Sequence, residues 1–276
     1  MNIQDVKWMV ATDLDGTLLN HHDYATGDVA QTIQRLKEQN IPVIFNTSKT
    51  YAETRSLQTE LDIDSPFIVE NGSCIYLPKQ QFPNKPANAS ERDAFWQITL
   101  GQSHEKINEA LLSIDTPETS YIRLSRCTPQ EASALTGLTL KQATQAIARE
   151  YSEPLIWQAD ARELDKFTKQ IHAHHLKTLQ GGRFLHVLGL SDKGNATTVL
   201  AKNYGHDIKV IALGDSPNDR DMLAIADISA IVHSPSSQQL ELLITPDINS
   251  VATAPAGWTE SIDKALKKMT TGASHE

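Results

Sequence analysis

The sequence contains little cysteine, and its cysteines are not arranged to build a site. Cys74 and Cys127 are the only two in 276 residues, and they form no Cys-x-x-Cys pair. Neither a disulfide framework nor a zinc site is therefore indicated. Two free thiols fit a reducing compartment, and we expect a cytoplasmic protein.

A surplus of positive charge is also absent. The chain has 25 basic and 34 acidic residues, a formal net charge of −9. Nucleic acids and anionic membranes attract clustered basic residues, so we expect neither as a partner. No window approaches about 18 uncharged apolar residues, and no basic segment precedes an apolar one at the N-terminus, so neither a membrane span nor a signal peptide is expected. The negative net charge does not exclude a small anionic substrate, because the cations in the binding site decide whether such a substrate binds.

Apolar residues make up 39% of the chain, enough for the core of one or two domains. Short apolar runs alternate with helical patterns near both ends of the chain. The runs cover residues 6–11, 41–45, 67–69, 208–213 and 228–232. This rhythm predicts an α/β fold with a Rossmann-like, doubly wound parallel sheet as its core.

The middle of the chain has a different character. Residues 78–93 contain three prolines and few apolar side chains, which is typical of a linker or an exposed loop. The next unit, to about residue 189, mixes strand and helix patterns. We therefore predict a core from residues 1–80 and 190–276, with an inserted α+β cap domain at 81–189.

Residues 12–19, Thr-Asp-Leu-Asp-Gly-Thr-Leu-Leu, are the most informative segment. Asp13 and Asp15 lie two residues apart where a buried strand ends. Two such carboxylates repel each other unless a cation or a shared proton offsets their negative charge. A divalent metal is the natural partner, and a carboxylate pair with a metal suits phosphoryl transfer. A plain acidic turn is the alternative.

Ligands of open parallel sheets bind beyond the carboxyl ends of the strands. Further polar residues at these positions are Asn46, Thr47, Ser48, Lys49, Lys193, Asp215, Asn218 and Asp219. One carboxylate can attack phosphorus, a second acid can protonate the leaving alkoxide, and Thr47, Ser48 and Lys193 can hold phosphate oxygens. Asp13 and Asp215 can supply carboxylates to Mg²⁺. The set predicts hydrolysis of a phosphate monoester.

These motifs resemble those of the haloacid dehalogenase-like phosphohydrolases. The first motif, DxDGT, matches residues 13–17, and the last, GDxxND, matches residues 214–219. The resemblance implies Asp13 as nucleophile and Asp15 as general acid and base, with Thr47 and Lys193 as the other catalytic residues. It also implies Mg²⁺ on Asp13, the Asp15 main-chain carbonyl and Asp215. Asn218 and Asp219 would orient the metal shell and Lys193.

The position of the insertion resembles the Cof-like branch with an α/β cap. Within that branch the chain is similar to the mannosyl-3-phosphoglycerate phosphatases along most of its length. The matching strings are Thr47-Ser48-Lys49-Thr50 with Glu53, Glu70-Asn71-Gly72, residues 182–187, Asp192-Lys193-Gly194 and Gly257-Trp258. Many Cof-like relatives carry Thr-Gly-Arg where this chain has Thr47-Ser48-Lys49, which favours the narrower family.

Five residues are candidates for substrate binding: Ser48, Lys49, Asn71, Arg183 and His186. Arg183 could clamp a glycerate carboxylate, as bidentate arginine often does, or could be an exposed strand arginine. Lys49 and Glu53 could touch substrate or form a helix-stabilising i,i+4 pair. Asn71 could simply belong to a turn.

The hypothesis is a Mg²⁺-dependent phosphatase that converts mannosyl-3-phosphoglycerate to mannosylglycerate through an aspartyl-phosphate. The nearest alternative is a phosphatase for glucosyl-3-phosphoglycerate or another sugar phosphate. A phosphomutase and a catalytically silent binding module are further alternatives. The residues leave the oligomeric state open.

Overall fold

A computed structural model of the protein describes residues 3–20, 25–114, 117, 120–181, 184–205 and 207–272. Within these ranges no helix is both long enough and apolar enough to cross a membrane. The strands are β1 (Trp8–Thr12), β2 (Val43–Asn46), β3 (Phe67–Val69), β4 (Cys74–Pro78), β5 (Ser90–Arg92), β6 (Phe95–Thr99), β7 (Tyr121–Arg123), β8 (Ser152–Trp157), β9 (Lys177–Gly181), β10 (Phe184–Leu188), β11 (Lys209–Gly214), β12 (Ile228–His233) and β13 (Ile248–Thr253). The α-helices are α1 (Val29–Glu38), α2 (Tyr51–Glu60), α3 (His104–Ser113), α4 (Pro129–Thr136), α5 (Leu140–Ala146), α6 (Ala161–Ala173), α7 (Lys193–Asn203), α8 (Arg220–Ala224), α9 (Ser237–Glu241) and α10 (Ala256–Gly272).

Nine strands form the larger sheet, in the order β13-β12-β11-β1-β2-β3-β4-β6-β5. The strands from β13 to β3 are parallel, and β4, β6 and β5 extend the sheet antiparallel. Side chains of β1 enter two separate apolar clusters. Val10 packs with residues of α1 and α10, whereas Met9 and Ala11 pack with residues of α7 and α8. Because successive strand residues point to opposite faces, helices cover both faces, and the predicted doubly wound core is confirmed.

The register of the central strands brings their carboxyl ends to one edge. Thr12, the last residue of β1, aligns with Leu213 of β11 and with Phe45 of β2. The Asp13 amide continues this pairing, donating to the Leu213 carbonyl at 3.0 Å. Residues that follow β1, β2 and β11 therefore lie close together although they are far apart in sequence.

Four antiparallel strands form the smaller sheet, in the order β7-β8-β10-β9. Its core includes Ile107 of α3, Phe167 of α6 and Leu155 of β8. Antiparallel strands with helices are the predicted α+β composition of the cap. The predicted hairpin corresponds to β9 and β10, while residues 182 and 183 lie outside the described part of the chain.

The larger sheet also bears on the domain boundaries. The sequence predicts an inserted domain at residues 81–189, yet β5 and β6 pair with each other and β6 pairs with β4. The smaller sheet begins only at Tyr121. We propose that the inserted domain, the cap, spans about residues 102–189 and that residues 81–101 extend the core sheet.

Candidate active site

Asp13 and Lys193 form a buried ion pair at the carboxyl edge of the larger sheet. Lys193 Nζ donates to Asp13 Oδ1 and to Asp219 Oδ1, each at 2.7 Å. Lys193 is only 1% exposed, and Asp13 is 5% exposed. A buried ammonium needs such partners, because an unpaired charge out of water is costly. These contacts join three residues, one directly after β1, one at the start of α7 and one in the turn after β11.

The start of α7 fixes the position of Lys193. The Asp192 carboxylate caps the helix by accepting from the Asn195 amide at 2.7 Å. The side chain of Asn46, at the end of β2, donates to the Lys193 carbonyl and to Thr197 Oγ1, both at 2.9 Å. The first turn of α7 is therefore held to the central strands as well as by its own cap.

Asp215 follows β11 and is oriented by the turn after β1. Thr17 Oγ1 donates to Asp215 Oδ1 at 2.8 Å. Gly16 has a φ of +83°, and a Cβ atom there would lie 2.5 Å from Asp215 Oδ2. The glycine of the DxDGT segment therefore allows both the left-handed backbone and the close approach of the Asp215 carboxylate.

Both carboxylate oxygens of Asp219 already have donors. Oδ1 accepts from Lys193, and Oδ2 accepts from the main-chain amides of Asp215 and Ser216 at 3.0 and 3.1 Å. Asp219 thus ties the turn after β11 to Lys193. Its oxygens are less available to a metal than those of Asp13 and Asp215.

The electrostatics of the cluster favour a divalent cation. Carboxylate oxygens of Asp13, Asp215 and Asp219 lie within 4.8 Å of one another, and Lys193 supplies one positive charge. Burial, opposed at Asp13 by Lys193, raises the pKa of Asp13 to about 7, and burial raises that of Asp215 well above its usual range. Burial alone would lower the pKa of Lys193, but Asp13 and Asp219 raise it. Hard oxygen donors with excess negative charge are the environment that Mg²⁺ prefers, so the residues fit this ion.

Asp15 lies outside this carboxylate cluster and is more accessible. Its side chain is 34% exposed, and Lys49 Nζ lies 2.8 Å from its carboxylate. Lys49, a predicted substrate-binding residue, therefore contacts the predicted acid and base. Glu53 instead caps α2, because its carboxylate accepts from the Thr50 amide at 2.9 Å.

Thr47 and Asn71 lie on two loops that touch each other. Thr47 is fully buried, and its carbonyl accepts from the Asn71 amide at 2.9 Å. Asn218 donates to the side-chain oxygen of Asn71 at 3.3 Å. Asn71 Nδ2 is buried without a hydrogen-bond partner among the described residues, and is therefore a donor available to a ligand. Ser48 lies next to Thr47, and its carbonyl accepts from Arg149 at 2.7 Å.

The cap contributes His186, which is buried in β10 at 3% exposure. Burial, together with the positive charges of Arg149 and Lys193, lowers its pKa to about 3, against the opposing charge of Glu153. Its Nδ1 atom has no hydrogen-bond partner within the described ranges. His186 is therefore a neutral, unsatisfied side chain. Arg183, the other cap residue predicted to bind substrate, lies outside the described residues.

Three residues that organise the site were given no specific role from the sequence, although Asn46 is one of the polar strand-end residues and Glu70 belongs to a matching string. Asn46 binds α7, Glu70 binds the cap backbone, and Arg149 binds the carbonyl of Ser48. Asn46 and Glu70 both lie at strand ends beside predicted site residues, and a polar residue in a buried strand-end position is the signal for a structural role there. Arg149 carries no such signal, since its contact depends on how the cap packs against the core.

Comparisons with known proteins agree with this geometry. A family model described as a haloacid dehalogenase-like hydrolase matches residues 10–242. A protein of Methanococcoides burtonii is 34% identical over 95% of this chain and 98% of its own, and one of Persephonella marina is 32% identical over 96% and 99%. Both are named glucosyl-3-phosphoglycerate/mannosyl-3-phosphoglycerate phosphatase.

Solved structures share the fold. A Bacteroides thetaiotaomicron protein, described among phosphatases of the haloalkanoate superfamily, aligns with a TM-score of 0.69 at 14% identity, over 94% of this chain and 95% of its own. A Streptococcus mutans protein aligns with a TM-score of 0.68 at 18% identity, over 95% and 99%. The family match and the two full-length relatives confirm the predicted resemblance: the chain belongs to the haloacid dehalogenase-like hydrolases.

Proposed function

We propose that this protein hydrolyses the phosphate ester of a glycosyl-3-phosphoglycerate, with mannosyl-3-phosphoglycerate as the substrate and mannosylglycerate and phosphate as the products. The enzyme class, a phosphoric monoester hydrolase, follows from the family and from two full-length relatives that are both named phosphatases. The observation that carries the chemistry is the buried contact of Lys193 with Asp13, beside Asp215. The names of the relatives support the choice of substrate.

Asp13 is the proposed nucleophile. Its carboxylate oxygen bonds to phosphorus while the bond from phosphorus to the glycerate oxygen breaks, which gives an aspartyl-phosphate and splits one hard displacement into two. Lys193 at 2.7 Å favours the ionised form of Asp13 and remains close to the negative charge that the phosphate brings. Thr47 and Asn71 are proposed to hold phosphate oxygens.

Asp15 is the proposed general acid and base. It gives its proton to the leaving glycerate oxygen and then accepts a proton from the water that attacks the aspartyl-phosphate. Its partial exposure supports this role, since the group must exchange a proton and reach the leaving oxygen. Ser48, Lys49, Arg183 and His186 are proposed to complete the binding of the sugar-glycerate.

Mg²⁺ is the proposed cofactor. Asp13, Asp215 and the main-chain carbonyl of Asp15 would hold it, and Asn218 and Asp219 would support that set. When bound, the ion would offset negative charge on the carboxylates and on the phosphate. The close approach of the Asp13, Asp215 and Asp219 oxygens supports this proposal.

Glucosyl-3-phosphoglycerate is the second candidate substrate, because the names of both relatives include it. The test is phosphate release in the presence of Mg²⁺ from the mannosyl and glucosyl compounds, with mannose and glucose phosphates that lack glycerate as controls. We expect kcat/KM for the mannosyl compound to exceed that of the simple sugar phosphates. Equal or greater turnover of the simple sugar phosphates would contradict the proposed substrate.

A further inference from the structure

We propose that Glu70 and Arg149 form a clasp between the core and the cap that positions Thr47 and Asn71 for reaction. The clasp is defined as these two side chains and the groups that they hold, which belong to residues 48 and 150–152. The inference rests on the proposed function, since it concerns the same reaction, and it assigns positioning roles to two residues that do not carry out chemistry.

The core half of the clasp is Glu70. This residue follows β3, has a φ of +49° and is 1% exposed. Its carboxylate accepts from the amides of Glu150 and Tyr151 at 3.0 and 3.1 Å, and from Ser152 Oγ at 2.6 Å. A single core carboxylate therefore holds the chain where it enters β8 of the cap.

The cap half is Arg149, whose side chain is 6% exposed. Its Nη1 donates to the Ser48 carbonyl at 2.7 Å, and its Nε donates to the Ala146 carbonyl at the end of α5 at 2.8 Å. The planar guanidinium can make both contacts at fixed angles, which a lysine ammonium cannot do. A second cap contact lies nearby, where Thr50 Oγ1 donates to the Gln145 carbonyl at 3.0 Å.

The two loops that the clasp holds are joined to each other and to α7. The Glu70 amide donates to the Lys49 carbonyl at 3.0 Å, next to the contact between Asn71 and Thr47. A Cβ atom at Gly72 would lie 2.1 Å from the Asp192 carbonyl, so this turn packs directly against the residue before Lys193. A shift at the clasp would therefore reach the proposed phosphate-binding groups.

Removing either charged group of the clasp is expected to cost free energy. The Glu70 carboxylate and the Arg149 guanidinium are both buried, and Arg149 also lies 3.9 Å from the Glu53 carboxylate. Removing Glu70 or Arg149 leaves buried polar groups of the opposite domain without their hydrogen-bond partner, which is costly. Burial raises the pKa of Glu70, but the positive charge of Arg149 and the three donors oppose that rise. The positive charge of Arg149 therefore favours the ionised form of Glu70.

The contacts of the clasp indicate positioning rather than chemistry. Glu70 accepts from two amides and one hydroxyl of the cap, and Arg149 donates to one core carbonyl and one cap carbonyl. Neither residue donates to or accepts from Asp13, Asp215 or Lys193. A misplacement of about 1 Å near a reacting group can lower the rate about 100-fold. Such a loss would be the same for every phosphate ester that uses these loops.

The experiment compares Glu70→Gln, Arg149→Met and the double variant on two esters, mannosyl-3-phosphoglycerate and para-nitrophenyl phosphate, which has no carboxylate. We expect kcat to fall about 10- to 100-fold by the same factor on both esters. The double variant should lose little more than either single variant, because the two residues act as a unit. Arg149→Lys, which keeps the charge, should retain more activity than Arg149→Met, and it replaces that variant if Arg149→Met fails to fold.

Arg92→Met is the matched control at the same junction. Arg92 binds the Glu150 carboxylate at 2.7 and 2.6 Å and stacks on Tyr51 at the start of α2, but it makes no hydrogen bond to residues 47–50 or 70–72. This variant should keep kcat within about twofold while the free energy of unfolding falls, as for a partly exposed ion pair. An equal loss of kcat in Arg92→Met would overturn the proposal, since any damage to the junction would then suffice.

Two further outcomes decide the matter. A loss confined to mannosyl-3-phosphoglycerate would show that Arg149 recognises the substrate carboxylate, and unchanged kcat in both single variants would show that no clasp is needed; either result overturns the proposal. If the unaltered protein cleaves only para-nitrophenyl phosphate, the proposed substrate fails, and the clasp is still tested on that ester.

Discussion

Asp13, Asp215 and Asp219 place three carboxylates close together, and the ammonium group of Lys193 contacts two of them, Asp13 and Asp219. The three carboxylates differ in how many of their oxygens already accept hydrogen bonds. Asp219 has both oxygens engaged by donors, whereas Asp13 and Asp215 are held at one oxygen by Lys193 and Thr17. Asp13 and Asp215, whose side chains are the predicted metal ligands, therefore have more capacity to bind a metal than Asp219.

These residues could be predicted at the level of single positions because strand ends identify them. Asp13, Thr47 and Asp215 each follow a run of apolar residues, and parallel strands end at a common edge. The link from Asp219 to Lys193 could not be predicted in this way, because it depends on where the turn after β11 lies relative to α7.

Gly16→Ala tests whether the position of Asp215 matters. A Cβ atom at residue 16 would lie 2.5 Å from Asp215 Oδ2, and the φ of +83° adds about 1–2 kcal/mol of backbone strain for alanine. We expect Mg²⁺ affinity, measured by calorimetry, to fall about 10- to 100-fold, as it does when groups that orient metal ligands are changed. The rate of phosphate release should fall with it.

Gly137→Ala is the control for strain alone. Gly137 ends α4 with a φ of +74°, and a Cβ atom there would meet nothing within 4 Å. The Gly137→Ala variant should lose about as much free energy of unfolding as Gly16→Ala and should keep the Mg²⁺ affinity of the unaltered protein. Equal Mg²⁺ affinity in the two variants would mean that crowding at Asp215 has no effect.

At the scale of elements, the cap depends on a buried carboxylate in β8. Glu153 accepts from Arg123 Nη2 at 2.7 Å and from the Ser125 amide at 3.1 Å, and it lies 3.2 Å from His104 Nε2. It therefore joins β8 to β7 and to the start of α3. The charge of Arg123 is therefore already paired with Glu153 inside the cap.

Glu153→Gln should lower the free energy of unfolding by about 3–5 kcal/mol at pH 7, because it leaves Arg123 buried without its counter-ion. Urea unfolding measures the change. Glu163→Gln is the matched control, since Glu163 pairs with Lys166 on the surface and should cost less than about 1 kcal/mol. Similar losses in the two variants would refute the importance of the buried pair.

The difference in unfolding free energy between the unaltered protein and Glu153→Gln should become smaller as the pH falls. Burial would raise the pKa of Glu153, but His104, Ser125 and Arg123 together lower it to about 2. A carboxyl with a lowered pKa in the folded state stabilises fully above its unfolded pKa of about 4.3, and this stabilisation is lost as the pH falls toward 2. The gap between the unaltered protein and Glu153→Gln should therefore narrow below about pH 4.3, and a constant gap from pH 7 to pH 3 would contradict this account.

At the scale of the whole molecule, the sequence predicts two domains but not how they meet. The α/β rhythm is visible because apolar runs and helical patterns are local. Strands β5 and β6 lie at the end of the larger sheet, and nothing local indicates which sheet they join. The contacts of Glu70 with residues 150–152 span about 80 positions and arise only when the cap packs on the core.

The arrangement also explains why the proposed catalytic residues do not identify the substrate. Asp13, Lys193 and Asp215 belong to the core, whereas His186 and Arg149 come from the cap. The core side chains can serve any phosphate ester. Discrimination between mannosyl and glucosyl compounds is therefore expected from the cap and from the loops that face it.

The most direct test of the central proposal is phosphate release from mannosyl-3-phosphoglycerate with Mg²⁺, measured for the unaltered protein and for Asp13→Asn. An amide has the same shape but cannot attack phosphorus, so we predict ready turnover by the unaltered protein and a fall of at least about 10⁴-fold in kcat for the variant. Circular dichroism should show that both are folded. Substantial turnover by Asp13→Asn, or none by the unaltered protein, would contradict the proposal.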